Sequence, residues 1–226
     1  MAKNVLECRT AKVKKSAGVV EAYKTLRTNL LYTENVKVIT ITSTVPNEGK
    51  TTTAYHLAET FANMGKKILL IDCDLRRGSL KNHFVTKGRV IGLSEALTKQ
   101  ATDIIHNTDV PNLDVILSGK VPPNPSELLM SKMFESIVNQ ARENYDYIII
   151  DTPPVKVAMD CAIVGRVSDG VMLVIRNDFT NRNMVKRAKL ELERNDVRII
   201  GAVLTRVNKS QIDYGSYGYY KYYKYY

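Results

Sequence analysis

The chain has 226 residues, 44% of them apolar, which suits one globular α/β domain. Its formal net charge of +10 favours an acidic partner, whether a nucleotide, an anionic membrane or a nucleic acid. No apolar run approaches the roughly 18 residues of a membrane span, the polar, basic start has no signal core, and three scattered cysteines make no disulfide framework, so a cytosolic protein with reduced thiols is expected.

Residues 1–17 are basic and aperiodic and read as an arm. Residues 18–33 read as a helix, on which Glu21, Lys24 and Arg27 stand at i, i+3 and i+6 and share roughly one face. Pairing of Glu21 with Lys24 within that helix is the alternative that needs no function. A β-branched strand pattern follows over residues 38–41. Residues 42–53 then read Thr-Ser-Thr-Val-Pro-Asn-Glu-Gly-Lys-Thr-Thr-Thr, and Ala54, Leu57, Ala58 and Phe61 recur behind them at helical spacing. A strand, a tight loop ending in Gly-Lys-Thr and a helix make the setting a phosphate loop requires. Loop N–H groups and the positive helix end converge on one anion. Pro46, Asn47, Glu48, Gly49, Lys50, Thr51 and Thr52 are the candidate cradle. Lys50, expected at a solvent-facing helix start, reaches the β- and γ-phosphates, and the Thr51 hydroxyl reaches Mg²⁺. The first glycine position of the pattern is Thr44 here, so only Gly49-Lys50-Thr51 is intact.

After Lys67, residues 68–71 form a short continuous apolar run that ends in Asp72-Cys73-Asp74. That is the pattern of a buried parallel strand delivering carboxylates at its C-terminal end. Two acids one residue apart could also merely cap the next turn. A short helix is expected over 93–97 and a strand over 113–117. Pro122-Pro123-Asn124-Pro125-Ser126-Glu127 begins a helix, with Asn124 as N-cap, Pro125 at the first position and Glu127 closing a capping box. Leu128, Leu129, Phe134 and Ile137 supply its buried face. Residues 147–151 repeat the buried strand ending in an acid, Asp151. Two more buried strands lie at 171–175 and 199–204, and Met184, Ala188, Leu190 and Leu192 mark a basic helix between them. The alternation argues a mostly parallel sheet with helices on both faces, gathering Lys50, Asp72, Asp74 and Asp151 at one crevice. His56, His83 and His106 are dispersed and read as surface or packing residues. The last stretch carries eight of the thirteen tyrosines, Tyr214, Tyr217, Tyr219, Tyr220, Tyr222, Tyr223, Tyr225 and Tyr226. Without aliphatic residues it cannot build a core, and it is expected to be a flexible set of exposed hydroxyls.

Taken together, the loop from Ser43 to Thr52, the Asp72-Cys-Asp74-Leu-Arg76 strand end, the Asp151-Thr-Pro-Pro strand end and the tyrosine cluster resemble the cytoplasmic bacterial tyrosine kinases of capsule and exopolysaccharide synthesis, the CapB/CpsD type. The resemblance covers nearly the whole chain. It implies a single-domain phosphate-loop NTPase fold over 18–210, followed by a tyrosine-rich tail over 211–226. It implies ATP and Mg²⁺ as cofactors, with Lys50, Asp72, Asp74 and Asp151 as the catalytic set. Thr51, Asp74 and Asp151 would hold the metal, Asp72 would accept or orient the tyrosine hydroxyl, and the tail tyrosines would be phosphoacceptors on a neighbouring subunit. Glu21, Lys24 and Arg27 map onto the family's oligomer motif, with lysine in place of its middle arginine and the bidentate fork lost. The implied partners are copies of the chain in a ring, the cytoplasmic segment of a membrane adaptor (a polysaccharide co-polymerase) that recruits it to the inner face of the membrane, and a phosphotyrosine phosphatase. No nucleic acid is expected. Thr205-Arg206 stands where related ATPases often carry an Asn-Lys pair on the adenine side. The competing expectation is a MinD/ParA-like ATPase switch acting on membrane or DNA. Val45, where such switches typically carry lysine, and the tyrosine tail speak against it.

Overall fold

A computed structural model describes residues 5–9, 16–86, 88 and 90–207. The tyrosine cluster and the boundary expected at 211 lie outside the described residues. In chain order the elements are β1 (Glu7–Cys8), α1 (Ala17–Leu31), β2 (Val38–Ser43), α2 (Lys50–Ala62), β3 (Ile68–Asp72), a 3₁₀ turn (Ser79–His83), β4 (Phe84–Val85), α3 (Leu93–Leu97), β5 (His106–Asn107), β6 (Leu113–Ile116), α4 (Pro125–Leu129), α5 (Lys132–Asn144), β7 (Tyr147–Asp151), α6 (Asp160–Gly165), β8 (Gly170–Arg176), α7 (Arg182–Arg194) and β9 (Ile199–Thr205).

Seven strands form one sheet in the order β5-β6-β3-β7-β2-β8-β9. Every neighbouring pair is parallel except β5 with β6. The central strands are buried throughout, and β3 and β7 read as continuous apolar runs because both their faces are covered. Along β3, Ile68 and Leu70 enter one core with Leu57, Phe61 and Ala58 of α2. Leu69 and Ile71 enter the other, with Phe134, Val138 and Ala141 of α5. The strand period of two thus divides one sequence run between two helix layers, as expected of helices on both faces.

Four local readings change. The single helix expected from Pro125 is two, α4 and α5. The Ser131 side chain ends the first by donating to the Leu128 carbonyl at 2.6 Å and starts the second by accepting from the Phe134 N–H at 3.3 Å. Asn124 does not cap α4 through its side chain; its amide instead donates to the Glu127 carboxylate at 2.6 Å. On α7 the buried positions are Ala188 and Leu192, one turn apart, while Leu190 and Met184 are exposed. Within the stretch read as an arm, β1 pairs antiparallel with β4, and Leu6 and Cys8 are buried in the α2-side core. Two apolar positions are too few for any periodicity to announce that strand.

Candidate functional site

Parallel register brings the site together. Asp151 of β7 lies beside Ile41 of β2 and Asp72 of β3. The C-terminal ends of the three central strands therefore deliver the loop after β2 and both acidic motifs to one edge of the sheet. The loop then turns into α2 through Gly49, whose φ of 92° is the left-handed conformation that glycine adopts without strain. Asn47 also takes positive φ, at 67°. A crevice of about 600 Å³ opens above, lined by Pro46, Asn47, Gly49, Lys50, Thr51 and Thr52 on the loop side and by Asp74 across from it.

Lys50 is not at a solvent-facing position: it is 9% exposed. Its ammonium lies 3.2 Å from Asp74 Oδ2 and 3.2 Å from Asp151 Oδ1. The Thr51 hydroxyl donates to Asp151 Oδ2 at 2.6 Å and is 2.9 Å from the Ser79 hydroxyl. The helix start is buried because β3 and β7 end directly beneath it, which sequence spacing along α2 cannot reveal.

Three buried acids share this one cation. Burial alone would lower the Lys50 pKa, but Asp151, Asp74 and Asp72 raise it, so the ammonium is retained. Asp72, which takes no direct bond from Lys50, is pushed up to about 8, by burial first and by Asp151 second. Burial also holds Asp151 upward, against Lys50 and the Thr51 hydroxyl. Lys50 is thus ion-paired with both Asp74 and Asp151, while Asp72 behind them has a raised proton affinity.

The two acids at the end of β3 cap the turn that follows it, and Asp74 also borders the crevice. Asp72 caps the turn through Oδ1, which accepts the Asp74 N–H at 3.0 Å, and Oδ2, which accepts the Leu80 N–H at 3.2 Å. Asp74 accepts the Arg77 N–H at 3.1 Å and also faces the crevice. Asp72 and Asp151 are fully buried one layer behind it. Glu48 does not present its carboxylate to the crevice; the side chain turns back into the protein and is 1% exposed.

The fit of a divalent cation follows from donor chemistry. Among the described residues no group of three His, Cys, Asp or Glu side chains forms a metal cage. Mg²⁺ needs none, since it binds through one or two carboxylates, waters and substrate phosphates. The Thr51 hydroxyl, Asp74 and Asp151 are hard oxygen donors clustered about Lys50 and fit that requirement.

Of the arginines on the crevice, Arg76 and Arg206 stand in stretches singled out in the sequence, while Arg77 and Arg176 carry no signal there beyond their charge. Arg76, Arg77, Arg176 and Arg206 all border the crevice, from three separate chain segments. The Arg76 guanidinium bonds Asp160 at 3.0 Å and the Ser126 hydroxyl at 2.9 Å. Arg176 stacks over the Phe179 ring at 4.4 Å. Thr205 is not on the crevice wall; its hydroxyl bonds the Glu48 carbonyl at 2.7 Å. The remaining candidates lie elsewhere. Glu21 and Lys24 pair with each other on exposed α1 at 2.7 Å. Arg27 reaches the other way, donating to the Thr60 carbonyl of α2 at 3.2 Å. The histidines do pack: His83 stacks on Tyr55 with ring centroids 4.9 Å apart, and His56 bonds Glu59.

Residues 36–187 match the family model of an AAA domain. The chain is 39% identical over 214 residues to tyrosine-protein kinase CpsD of Streptococcus agalactiae serotype III (strain NEM316), covering 93% of this chain and 92% of that one. It is 39% identical over 189 residues to tyrosine-protein kinase YwqD of Bacillus subtilis (strain 168), covering 81% and 79%. The crystal structure of the chimerical protein CapA2B2 superposes with a TM-score of 0.83 at 32% identity, covering 92% of this chain and 96% of that one. The septum site-determining protein MinD of Pyrococcus horikoshii OT3 matches with a TM-score of 0.63 at 21% identity, over 78% of this chain and 76% of that one, a likeness of fold alone.

Proposed function

This chain belongs to the bacterial tyrosine-protein kinases, and from that premise we propose that it moves the γ-phosphoryl group of ATP onto the C-terminal tyrosines of a neighbouring copy, regulating capsular or exopolysaccharide synthesis and export. The observation that carries the reading is the convergence of Lys50 on Asp74 and Asp151 at the head of a phosphate loop, under a crevice lined by four arginines.

In this reading the loop N–H groups and Lys50 neutralise the β- and γ-phosphates, which is most of what phosphoryl transfer asks of a protein. Lys50 must then exchange part of its carboxylate pairing for phosphate. Thr51, Asp74 and Asp151 would hold Mg²⁺, directly or through water, and the ion would supply positive charge against the phosphates. Asp72 takes the proton of the tyrosine hydroxyl as its oxygen bonds the γ-phosphorus and the bond to the β-phosphate oxygen breaks. Its raised proton affinity supports the role, since a base works best with a pKa near the working pH. To reach the hydroxyl its carboxylate must give up a backbone N–H. Glu21 and Lys24, exposed on α1, are the side chains offered to a neighbouring copy in a ring. The family resemblance supports a membrane adaptor as activator and recruiter to the inner face of the membrane, and a phosphatase as the reverse step. No helix among the described residues is long and apolar enough to cross a membrane.

The test is intact mass after incubation with Mg-ATP. Added phosphates on the wild type, lost with Lys50→Met, are expected; ADP release without added phosphate would indicate a switch instead. Mixing Lys50→Met chains carrying the tail with active chains lacking residues 214–226 tests transfer between copies. An inactive chain that stays unlabelled, where the intact wild type labels itself, would remove that step.

A further inference from the structure

Glu48 is a charge in an unfavourable place. A phosphate loop collects N–H dipoles around an anion, and a carboxylate within it is repelled by that same anion. Yet Glu48 occupies the middle of the loop, almost wholly buried. Both carboxylate oxygens and the backbone carbonyl accept hydrogen bonds. Oε2 takes the Val45 N–H at 2.7 Å. Oε1 takes the Arg176 N–H at 3.2 Å and the Thr180 hydroxyl. The backbone carbonyl takes the Thr205 hydroxyl at 2.7 Å.

The donors come from separate places. Val45 belongs to the loop, Arg176 ends β8, Thr180 lies just before α7, and Thr205 ends β9. One residue therefore ties the loop to the ends of two strands on the far side of β2. The next residue is Gly49, the left-handed turn into α2, and then Lys50. Any change in how Glu48 is held is passed directly to the peptide groups that face the phosphates. The bracing segment is also part of the crevice, because the Arg176 and Arg206 side chains line it.

We propose that Glu48 is a positioning residue: its ionised carboxylate locks the phosphate loop to the Arg176–Thr180 segment and so sets the loop's affinity for phosphates. This deepens the reading of the loop as the nucleotide phosphate site and rests on it. Only an ionised carboxylate can accept on both sides at once. In Glu48→Gln the amide nitrogen would face an N–H or a hydroxyl, donor against donor, in a site only 1% exposed. Thr180→Val removes one donor at nearly constant volume, and Thr180→Ser restores it.

The experiment measures the affinity of Mg-ADP and of inorganic tripolyphosphate by calorimetry, at a temperature where circular dichroism shows each variant folded. Glu48→Gln should weaken both probes on the order of tenfold, and Thr180→Val roughly fivefold, within the range of the net worth of one hydrogen bond. Thr180→Ser should stay within about twofold of wild type, a rescue that lost packing would not give. Wild-type affinity in Glu48→Gln and Thr180→Val, or a serine variant as weak as the valine one, would overturn the proposal. If Glu48→Gln does not fold, the two Thr180 variants decide. A wild type that binds no Mg-ADP, or a Lys50→Met protein that binds it as well as wild type, overturns the nucleotide reading itself and is recognised before the Glu48 and Thr180 variants are compared.

Discussion

Replacing Lys50 with methionine should cost stability as well as activity. The side chain is the direct partner of Asp74 and Asp151, each at 3.2 Å and each buried. Breaking a buried pair by removing one partner costs roughly 3–5 kcal/mol. For a chain of this size each kcal/mol moves the melting midpoint by roughly 2–4 °C, so a fall of roughly 6–20 °C is expected. The pH dependence has a definite sign. Without the ammonium the folded carboxylates hold protons more tightly than unfolded ones, whose pKa is about 3.9. The folded mutant then carries more bound protons than the unfolded one, and its stability falls as pH rises. The deficit against wild type should therefore be larger at about pH 8 than at about pH 6. Urea unfolding followed by circular dichroism, without nucleotide, measures it, with Lys50→Arg as the charge-retaining control. A mutant within about 0.5 kcal/mol of wild type at the higher pH, or a deficit that grows as pH falls, would refute the argument.

The other expectations are separable. Asp72→Asn should lower phosphoryl transfer much more than Mg-ATP affinity, whereas Asp74→Asn, on the crevice wall, should lower both; titration calorimetry beside a phosphate-incorporation assay distinguishes them, and equal losses in Asp72→Asn would reassign it to metal binding. Glu21→Ala, exposed on α1, should leave stability within about 0.5 kcal/mol yet reduce the mass seen by light scattering; an unchanged mass would leave only its pairing with Lys24. His83 is held down at about 4, by burial first and by His56 second. Its folded pKa lies below the unfolded value of about 6.5, so its contribution is full above that value and is lost as pH falls toward about 4. In His83→Gln the decline of the urea midpoint between neutral and mildly acidic pH should flatten, and an unchanged slope would remove His83 as its source.

The layered fold was legible in residue order because its causes are local. The continuous apolar runs at β3 and β7 and the β-branched run at β2 read as buried strands, and helical spacing after Gly49-Lys50-Thr51 places a helix start at the loop. The acids at 72, 74 and 151 were legible for the same reason: each interrupts an apolar run at the point where a parallel strand must end. The split at Ser131 was missed because a side chain bonding Leu128 and Phe134 can break a helix without glycine or proline. What sequence alone determined is thus which residues reach the sheet edge. What only the tertiary structure decided is how they are held there. Lys50 is buried because two strands distant in sequence end beneath it. Glu48 faces inward because Arg176, Thr180 and Thr205 converge on it from 128 to 157 residues away. The arginine rim exists only once three segments are brought side by side. Burial and partnership depend on what packs over a residue, and in a parallel sheet the strands that do so are joined by long crossovers that no local pattern records.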